Sequence, residues 1–241
     1  PNTQTKFFLY CAMGGIAQIL ATILTIRIFE KRNFSIGIIF TKTEVIQTAI
    51  VGFLFLGESL SAYGALAILI SFLGLIFLSR PKKLSNPTSI SKYFNQTSLI
   101  GLGAGAFFGF SAVGYRAASL SLIDGNFIIR AATTLAFVTI FQATLMACWL
   151  TISNRKEAYK TIILWRISGL VGIFGILGSY CWFMAFTLQN AAYVRAVGQI
   201  ELVFTFIGSY FFFKEKHTKL EILGINLIII SLVILLSSLE F

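Results

Sequence analysis

Charged residues are scarce in this chain, and their scarcity excludes a soluble globular protein. Only 12% of the 241 residues are charged, 57% are hydrophobic, and the mean hydropathy is +0.86. A soluble domain needs a polar outer shell that this composition does not supply, so a lipid bilayer is the expected solvent. The net charge of +10 comes from bases at the ends of apolar runs. Membrane topology explains it better than a nucleic-acid partner.

Histidine and cysteine are nearly absent, which argues against a metal centre or a disulfide framework. His217 is the only histidine, and the three cysteines, Cys11, Cys148 and Cys181, lie inside apolar runs without CxxC spacing. We interpret them as small apolar residues within helices. No cofactor is expected.

The motifs of soluble enzymes are also missing. The chain has no P-loop, no GxSxG, no HExxH and no kinase-like set of motifs. An ATP-driven pump would therefore need a separate motor subunit. An intramembrane enzyme would need a cluster of catalytic groups that the sequence does not show. We predict that the protein is not an enzyme.

Long apolar runs dominate the sequence instead. A membrane-spanning helix needs about 20 mostly apolar residues, and eight segments qualify: 7–29, 34–56, 60–79, 98–120, 127–150, 161–187, 191–213 and 219–238. The predicted fold class is therefore an all-α integral membrane protein. Glycines recur inside these segments, and we expect most of them to permit close packing of helices.

One pattern occurs twice in the chain. The stretch GQIELVFTFIGSYFFFKE at Gly198–Glu215 resembles TKTEVIQTAIVGFLFLGE at Thr41–Glu58, with Glu44 matching Glu201 at an offset of 157 (201 − 44). The same offset holds without a gap for Gly15/Gly172, Phe29/Phe186, Asn33/Asn190, Thr48/Thr205, Phe55/Phe212, Glu58/Glu215 and Ile68/Ile225. This register indicates an internal duplication, a common architecture of membrane transporters.

The longest connection separates the two copies. Residues 80–97, RPKKLSNPTSISKYFNQT, hold two of the three prolines and four bases, as expected of a linker. Residues 1–79 then carry three helices of a first repeat, and residues 98–241 carry five helices of a second. Equivalent repeats would require two further helices before Pro1, so ten helices in all. An odd number of helices per repeat gives the second copy the opposite membrane orientation, which predicts two inverted five-helix repeats.

Basic residues are distributed unevenly between the two predicted membrane faces. Of the nineteen Lys and Arg residues, fourteen lie near the face at which the first helix ends, and three lie near the opposite face. The positive-inside rule places the basic face in the cytoplasm.

Four ionisable side chains lie within two repeat-equivalent apolar runs: Lys42, Glu44, Arg195 and Glu201. A charge at membrane depth costs several kcal/mol, so such residues usually face a cavity and have a function. Glu44 and Glu201 are the stronger candidates because they are equivalent in the two repeats. The structural alternative is that each Glu caps a helix or pairs with a base, and that Lys42 and Arg195 extend toward water.

Other polar and aromatic residues are weaker candidates for a substrate or proton site. Thr48 and Thr205 each follow a candidate Glu by four residues and continue a polar stripe on its helix face. Gln199 shares a helix face with Arg195. Further candidates are Gln18, Thr22, Gln142, Ser179, Tyr180 and Trp182, together with Tyr115 and Arg116 near the end of segment 98–120. Hydrogen bonding between helices is the alternative role for each of them.

These residues also carry a family resemblance. The segments TEVIQTAIVGFLFLGESLSAYGALAILISFLGLIFL and IELVFTFIGSYFFFKEKHTKLEILGINLIIISLVILL are similar to the EamA domain, which occurs twice in members of the drug/metabolite transporter superfamily. The resemblance implies ten helices, inverted repeats and a central cavity lined by the helices that match 34–56 and 191–213. It also implies secondary transport of small metabolites, often as export.

The sequence departs from the family pattern in two respects. Members often have Pro after the helix Glu, where this chain has Val45 and Leu202, so no proline kink is predicted there. Members commonly have both termini in the cytoplasm, whereas the count of basic residues argues for the opposite orientation. Both orientations stay open.

The predicted function is that of a secondary transporter in the cytoplasmic or inner membrane. A small-molecule substrate would bind a midplane site with Glu44 and Glu201, which the two repeats expose alternately to each face. Desolvation disfavours the charged form of a carboxylate, so proton coupling is a further expectation. The alternative is a non-transporting membrane sensor or assembly protein. The sequence predicts no particular oligomeric state.

Overall fold

The computed structural model describes residues 5–31, 34–78, 96–212, 214 and 217–238. Every regular element in these ranges is helical. The helices are α1 (Thr5–Phe29), α2 (Phe34–Thr41), α3 (Glu44–Leu56), α4 (Ala62–Leu78), α5 (Gln96–Ser121), α6 (Phe127–Ser153), α7 (Arg155–Ile163), α8 (Trp165–Leu188), α9 (Ala191–Gly198), α10 (Ile200–Phe211) and α11 (Lys219–Ser238). Seven helical segments in these ranges are long and apolar enough to cross a membrane, and Ala62–Leu78 is a shorter apolar helix. The predicted all-α membrane fold class is confirmed.

The predicted spans match these helices closely, but three of them are not single helices. Segment 34–56 is divided into α2 and α3, and segment 191–213 into α9 and α10. The third, 161–187, is divided at Leu164 between α7 and α8. The predicted spans are confirmed, since Gly37–Leu56, Ala191–Phe211 and Trp165–Leu188 are each long and apolar enough to cross a membrane. The interruptions inside them were not predicted, because mean hydropathy over about 20 residues does not respond to one distorted turn.

Two sequence predictions fall partly or wholly on residues that the structure does not describe. Most of the predicted linker 80–97 lies outside the described residues, and Gln96 and Thr97 already belong to α5. Glu215, the predicted equivalent of Glu58, also lies outside them.

One of the two compact units comprises Leu20–Phe110 and Asn190–Phe241. Within it α4 packs along α11, and α3 packs against α9. The contact between α4 and α11 is close at Gly74 and Gly224, because a Cβ on Gly74 would lie 2.7 Å from the carbonyl oxygen of Gly224. One cluster of buried residues in the apolar core of this unit comprises Val45, Ala67, Ile68, Ala192, Tyr193, Ala196 and Leu235.

Glycines of α5 bring that helix against the α2–α3 segment in the same unit. A Cβ on Gly105 would lie 2.8 Å from the carbonyl oxygen of Thr41, and one on Gly109 would lie 3.1 Å from the backbone nitrogen of Thr48. Gly101, one turn earlier, faces the backbone of Gly37. These contacts confirm the predicted packing role for Gly101, Gly105 and Gly109, since a side chain at any of the three would meet backbone atoms of the α2–α3 segment.

The residue that follows α3 and the residue at the offset of 157 from it both have a positive φ. Gly57 ends α3 with φ of +68°, and Lys214, at the offset of 157, has φ of +52°. Left-handed backbone is uncommon for a residue with a side chain. The shared conformation therefore agrees with the internal duplication.

The other compact unit comprises Pro1–Ile19 and Ser111–Gln189. Phe7 of α1 packs edge-to-face on Phe137 of α6, with ring centroids 5.3 Å apart. Tyr115 of α5 stacks on Phe183 of α8 at 4.6 Å. Arg116 donates to the carbonyl oxygens of Phe186 and Gln189 at 2.7 and 2.6 Å, so it satisfies the carbonyl end of α8.

The glycines of α8 behave differently from those of α5. A Cβ on Gly169, Gly172, Gly175 or Gly178 would meet no other described atom within 4 Å, apart from the helix's own backbone. The packing role predicted for glycines is therefore wrong for these four within the described residues. The sequence identifies small residues but not which neighbour, if any, lies against them.

Candidate functional site

Two helix breaks occur at repeat-equivalent positions. The first lies at Lys42–Thr43, between α2 and α3, and the second lies at Gln199, between α9 and α10. The offset of 157 relates Lys42 to Gln199 (199 − 42). Thr43 and Gln199, the residues that precede α3 and α10, have nearly identical backbone angles, with φ of −64° and −65° and ψ of −8°. The backbone therefore stays in the right-handed helical region at both breaks.

Local hydrogen bonds account for the first break. The hydroxyl of Thr41 donates to the carbonyl oxygen of Gly37 at 3.0 Å, and that of Thr43 donates to Phe40 at 2.6 Å. The backbone nitrogen of Thr43 also donates to Phe40, over three residues instead of four. Threonine side chains compete with the backbone for helical carbonyl groups, and bonds over three residues tighten the turn.

The second break has the same tightened backbone. The nitrogen of Gln199 donates to the carbonyl oxygen of Ala196 at 3.1 Å, and the nitrogen of Leu202 donates to Gln199 at 2.9 Å. Both bonds span three residues. Val45 and Leu202 occupy the positions where a proline would produce a kink, so both helices break without one. A mid-helix turn of this type often marks a functional hinge.

The four charged residues singled out from the sequence form two ion pairs across these breaks. Lys42 pairs with Glu201 of α10, and Arg195 of α9 pairs with Glu44 of α3 at 3.8 Å. Each broken segment thus supplies one base and one acid, and each base pairs with the acid of the other segment. The sequence analysis considered, as the alternative to a functional role, that each Glu pairs with a base. It did not predict that each base pairs with the Glu of the other segment.

The two pairs differ in burial. The side chains of Glu44 and Arg195 are 11% and 17% exposed, whereas that of Glu201 is 57% exposed. The ring of Phe108 in α5 lies 5.8 Å from the guanidinium carbon of Arg195 and covers it. The Arg195–Glu44 pair is therefore the more desolvated of the two.

Helix dipoles reinforce the placement of these charges. Glu44 and Glu201 lie in the first turns of α3 and α10, and Arg195 lies in the last turn of α9. Unpaired N–H groups make a helix start partly positive, and unpaired carbonyl groups make its end partly negative. The breaks therefore create local electrostatic sites in which buried charges are better tolerated than in a continuous helix.

Gln199 is held at the second break by a residue that the sequence analysis missed. Its side-chain oxygen accepts a hydrogen bond from the hydroxyl of Ser71 in α4, and both residues are buried. Ser71 is a polar residue inside a strongly apolar helix, and this position could have identified it from the sequence. Gln47 was missed as well. Its amide nitrogen donates to Thr43 at 2.9 Å, beside the first break.

The two candidate threonines have matching contacts. The hydroxyl of Thr48 donates to the carbonyl oxygen of Glu44 at 2.6 Å, and that of Thr205 donates to Glu201 at 2.7 Å. Thr48 is fully buried, whereas Thr205 is exposed. Both hydroxyls bond within their own helix, so a substrate contact by either threonine stays a prediction.

Gln18, Tyr180 and Trp182 belong to the other compact unit. Gln18 accepts hydrogen bonds from Tyr115 and, at 3.1 Å, from Gln142. Tyr180 donates to the carbonyl oxygen of Ile128 at 3.2 Å, and Trp182 lies 5.7 Å from Phe186, measured between ring centroids. Each has a partner within its own unit, and a role for any of them in substrate binding stays a prediction.

Comparison with protein families decides the class of the protein. A model of the EamA-like transporter family matches residues 96–237, which is more than half of the chain. The chain belongs to the EamA-like transporter family. It is accordingly a multi-pass membrane transporter of the drug/metabolite type, and members of this family are transporters and not enzymes. A search of curated proteins finds no match.

The EamA match covers one side of the candidate site directly. Arg195, Gln199 and Glu201 lie within residues 96–237, whereas Lys42 and Glu44 lie before them. That Lys42 and Glu44 belong to an equivalent EamA repeat stays a prediction, which the gapless offset of 157 and the matching helix breaks support.

Proposed function

We propose that this EamA-like protein is a secondary transporter that exports small metabolites across a cytoplasmic or inner membrane. The observation that carries the proposal is the pair of crossed ion pairs at two repeat-equivalent helix breaks. Transporters commonly place their substrate sites at discontinuous helices near the bilayer midplane, where helix ends and charged side chains replace water.

The site favours a substrate that carries charge. A charged group of the substrate would replace one partner of an ion pair, so that substrate binding and pair formation compete. Protonation of Glu44 or Glu201 would also break a pair and would couple proton movement to the same event. Because the Lys42–Glu201 pair is the more exposed, we propose that it opens first.

Alternating access follows from the duplicated architecture. In the proposed mechanism two inverted repeats rock against each other, and the site opens to one membrane face at a time. The breaks at Lys42–Thr43 and Gln199 would serve as hinges, since their three-residue hydrogen bonds can exchange with four-residue bonds at small cost.

A metabolite comparison tests this proposal. Cells that express the complete protein, its Glu201→Gln variant or its Glu157→Gln variant are compared with empty-vector cells, with intracellular and extracellular compounds measured by mass spectrometry. Glu157 is a matched control because it pairs with Lys160 at the surface of α7. We expect a small set of compounds to accumulate outside cells with the wild type and Glu157→Gln, but not with Glu201→Gln.

Two results would contradict the proposal. If no compound differs between wild type and empty vector while the protein is present in the membrane, it does not export metabolites, and the sensor or assembly alternative gains support. If Glu201→Gln exports the same compounds at the wild-type rate, this carboxylate has no part in transport.

A further inference from the structure

The connection between α6 and α8 concentrates positive charge at the ends of two membrane-spanning helices. It contains the short helix α7, which follows Asn154 directly and ends one residue before Leu164. Twelve positions from 155 to 166 carry four bases and one acid, Glu157, a net charge of +3 (4 − 1). The bases are Arg155, Lys156, Lys160 and Arg166.

Most of this charge is not neutralised within the described residues. All four bases are exposed. Lys160 pairs with Glu157 at 2.7 Å, and Arg155, Lys156 and Arg166 form no ion pair with a described carboxylate. Unneutralised bases at a membrane boundary lie at the depth of the lipid headgroups, which attract them when the lipids are anionic.

Aromatic residues accompany the bases. Tyr159 is 65% exposed and Trp165 is 67% exposed, and the guanidinium carbon of Arg166 lies 5.8 Å from the centre of the Trp165 ring. At 100° per residue, positions 155, 159, 156 and 160 occupy an arc of about 140° on α7. Exposed tyrosine and tryptophan prefer the boundary between headgroups and acyl chains, so this surface fits a lipid better than a free anion.

We propose that α7 and the start of α8 form a binding surface for anionic phospholipids. This headgroup patch consists of Arg155, Lys156, Tyr159, Lys160, Trp165 and Arg166. The three unpaired bases contact lipid phosphate groups, and the two aromatic side chains lie against the upper part of the acyl chains. The patch is independent of the ion pairs of the candidate transport site.

Tryptophan quenching tests the patch, because the chain has only three tryptophans. The combined substitutions Trp149→Phe and Trp182→Phe leave Trp165 as the reporter. The protein is reconstituted into vesicles of equal phosphatidylglycerol and phosphatidylcholine, with bromine on the acyl chains of one lipid or the other. We expect brominated phosphatidylglycerol to quench Trp165 about twofold more than brominated phosphatidylcholine, since headgroup attraction enriches the anionic lipid locally.

Two controls make the result specific. A second reporter, in which Trp149→Phe and Trp165→Phe leave Trp182 at the other end of α8, should be quenched equally by both brominated lipids. Neutralising the patch with Arg155→Gln, Lys156→Gln and Arg166→Gln should remove the preference at Trp165. The matched triple variant Lys6→Gln, Arg27→Gln and Lys219→Gln changes three exposed bases elsewhere and should retain it.

Three results would overturn the proposal. The first is equal quenching of Trp165 by the two brominated lipids in the otherwise unsubstituted protein. The second is a preference that persists when the patch is neutralised. The third is a matched triple variant that loses the quenching preference for brominated phosphatidylglycerol as completely as the neutralised patch does. The preference would then be an effect of overall charge.

Discussion

The guanidinium group of Arg195 lies 3.8 Å from the carboxylate of Glu44, at the contact of α9 with α3. Both side chains are largely buried, and Phe108 lies over the guanidinium group. A buried ion pair is costly to break from one side, because the remaining charge is left without its partner. Removing one partner of this pair should therefore cost more stability than removing one partner of the pair of Lys42 with Glu201.

The first prediction compares the bases of the two pairs. Arg195→Gln should lower the free energy of unfolding by about 3 kcal/mol, because it leaves the buried carboxylate of Glu44 uncompensated. Lys42→Gln should lower it by less than about 1 kcal/mol, because Glu201 is accessible to water. Unfolding in mixed detergent micelles measures both values.

The double variant Glu44→Gln/Arg195→Gln is the control for that comparison. It removes both charges of the buried pair. Its loss of unfolding free energy should therefore be clearly smaller than the sum of the losses in Glu44→Gln and Arg195→Gln, each measured as a single variant. Equal costs for Arg195→Gln and Lys42→Gln would show that burial does not distinguish the two pairs.

The second prediction concerns glycines in two helices of different packing. Gly101→Ala in α5 should destabilise the protein by about 2 kcal/mol, because its Cβ would overlap the backbone of Gly37. Gly172→Ala in α8 meets open space and should be neutral or stabilising by up to about 1 kcal/mol, since alanine is the better helix former. Thermal unfolding in detergent measures both effects, and equal destabilisation by the two would contradict the account.

The third prediction tests the shared left-handed corner. Gly57→Ala should cost about 1 kcal/mol through backbone conformation alone, since no atom lies within 4 Å of the new Cβ. Lys214→Gly should stabilise the protein by about 0.5 kcal/mol, because it relieves the same strain at the equivalent position. Thermal unfolding shows whether each variant is less or more stable than the wild type. A loss of stability with Lys214→Gly would argue against backbone strain at that position.

The sequence was sufficient for the membrane spans but not for their interruptions. Spans such as 127–150, observed as Phe127–Ser153, follow from hydropathy because the bilayer fixes the length of an apolar run. The breaks at Lys42–Thr43 and Gln199 depend on hydroxyl bonds such as that from Thr43 to Phe40. A hydroxyl bond of this kind leaves the average hydropathy of the segment unchanged.

The charged residues of the site were predictable, but their partners were not. Lys42, Glu44, Arg195 and Glu201 are conspicuous because charges are rare inside apolar runs. Lys42 and Glu201 are 159 positions apart in the chain, and helix periodicity relates only neighbours three or four positions apart. The crossed pairing therefore depends on how α3 packs against α9, which only the structure supplies.

The two threonines related by the offset of 157 differ in burial because different residues pack against them. Thr48 of α3 is fully buried because Gly109 of α5 lies against its backbone. Its equivalent Thr205 lies in α10, where no residue is buried. Equivalent sequences thus acquire different environments from different neighbours, and the offset of 157 does not carry that information.

Net transport of the compound that the metabolite comparison identifies, measured in reconstituted vesicles, tests the central claim most directly. The compound identified in cells is assayed with the wild type, Glu44→Gln, Glu201→Gln and the surface control Glu157→Gln, all checked for monodisperse elution. We expect both site variants to lose net transport and Glu157→Gln to retain it, because only the two site variants remove a carboxylate at a helix break. Wild-type flux from folded Glu44→Gln and Glu201→Gln proteins would contradict it and remove the crossed ion pairs from the transport mechanism.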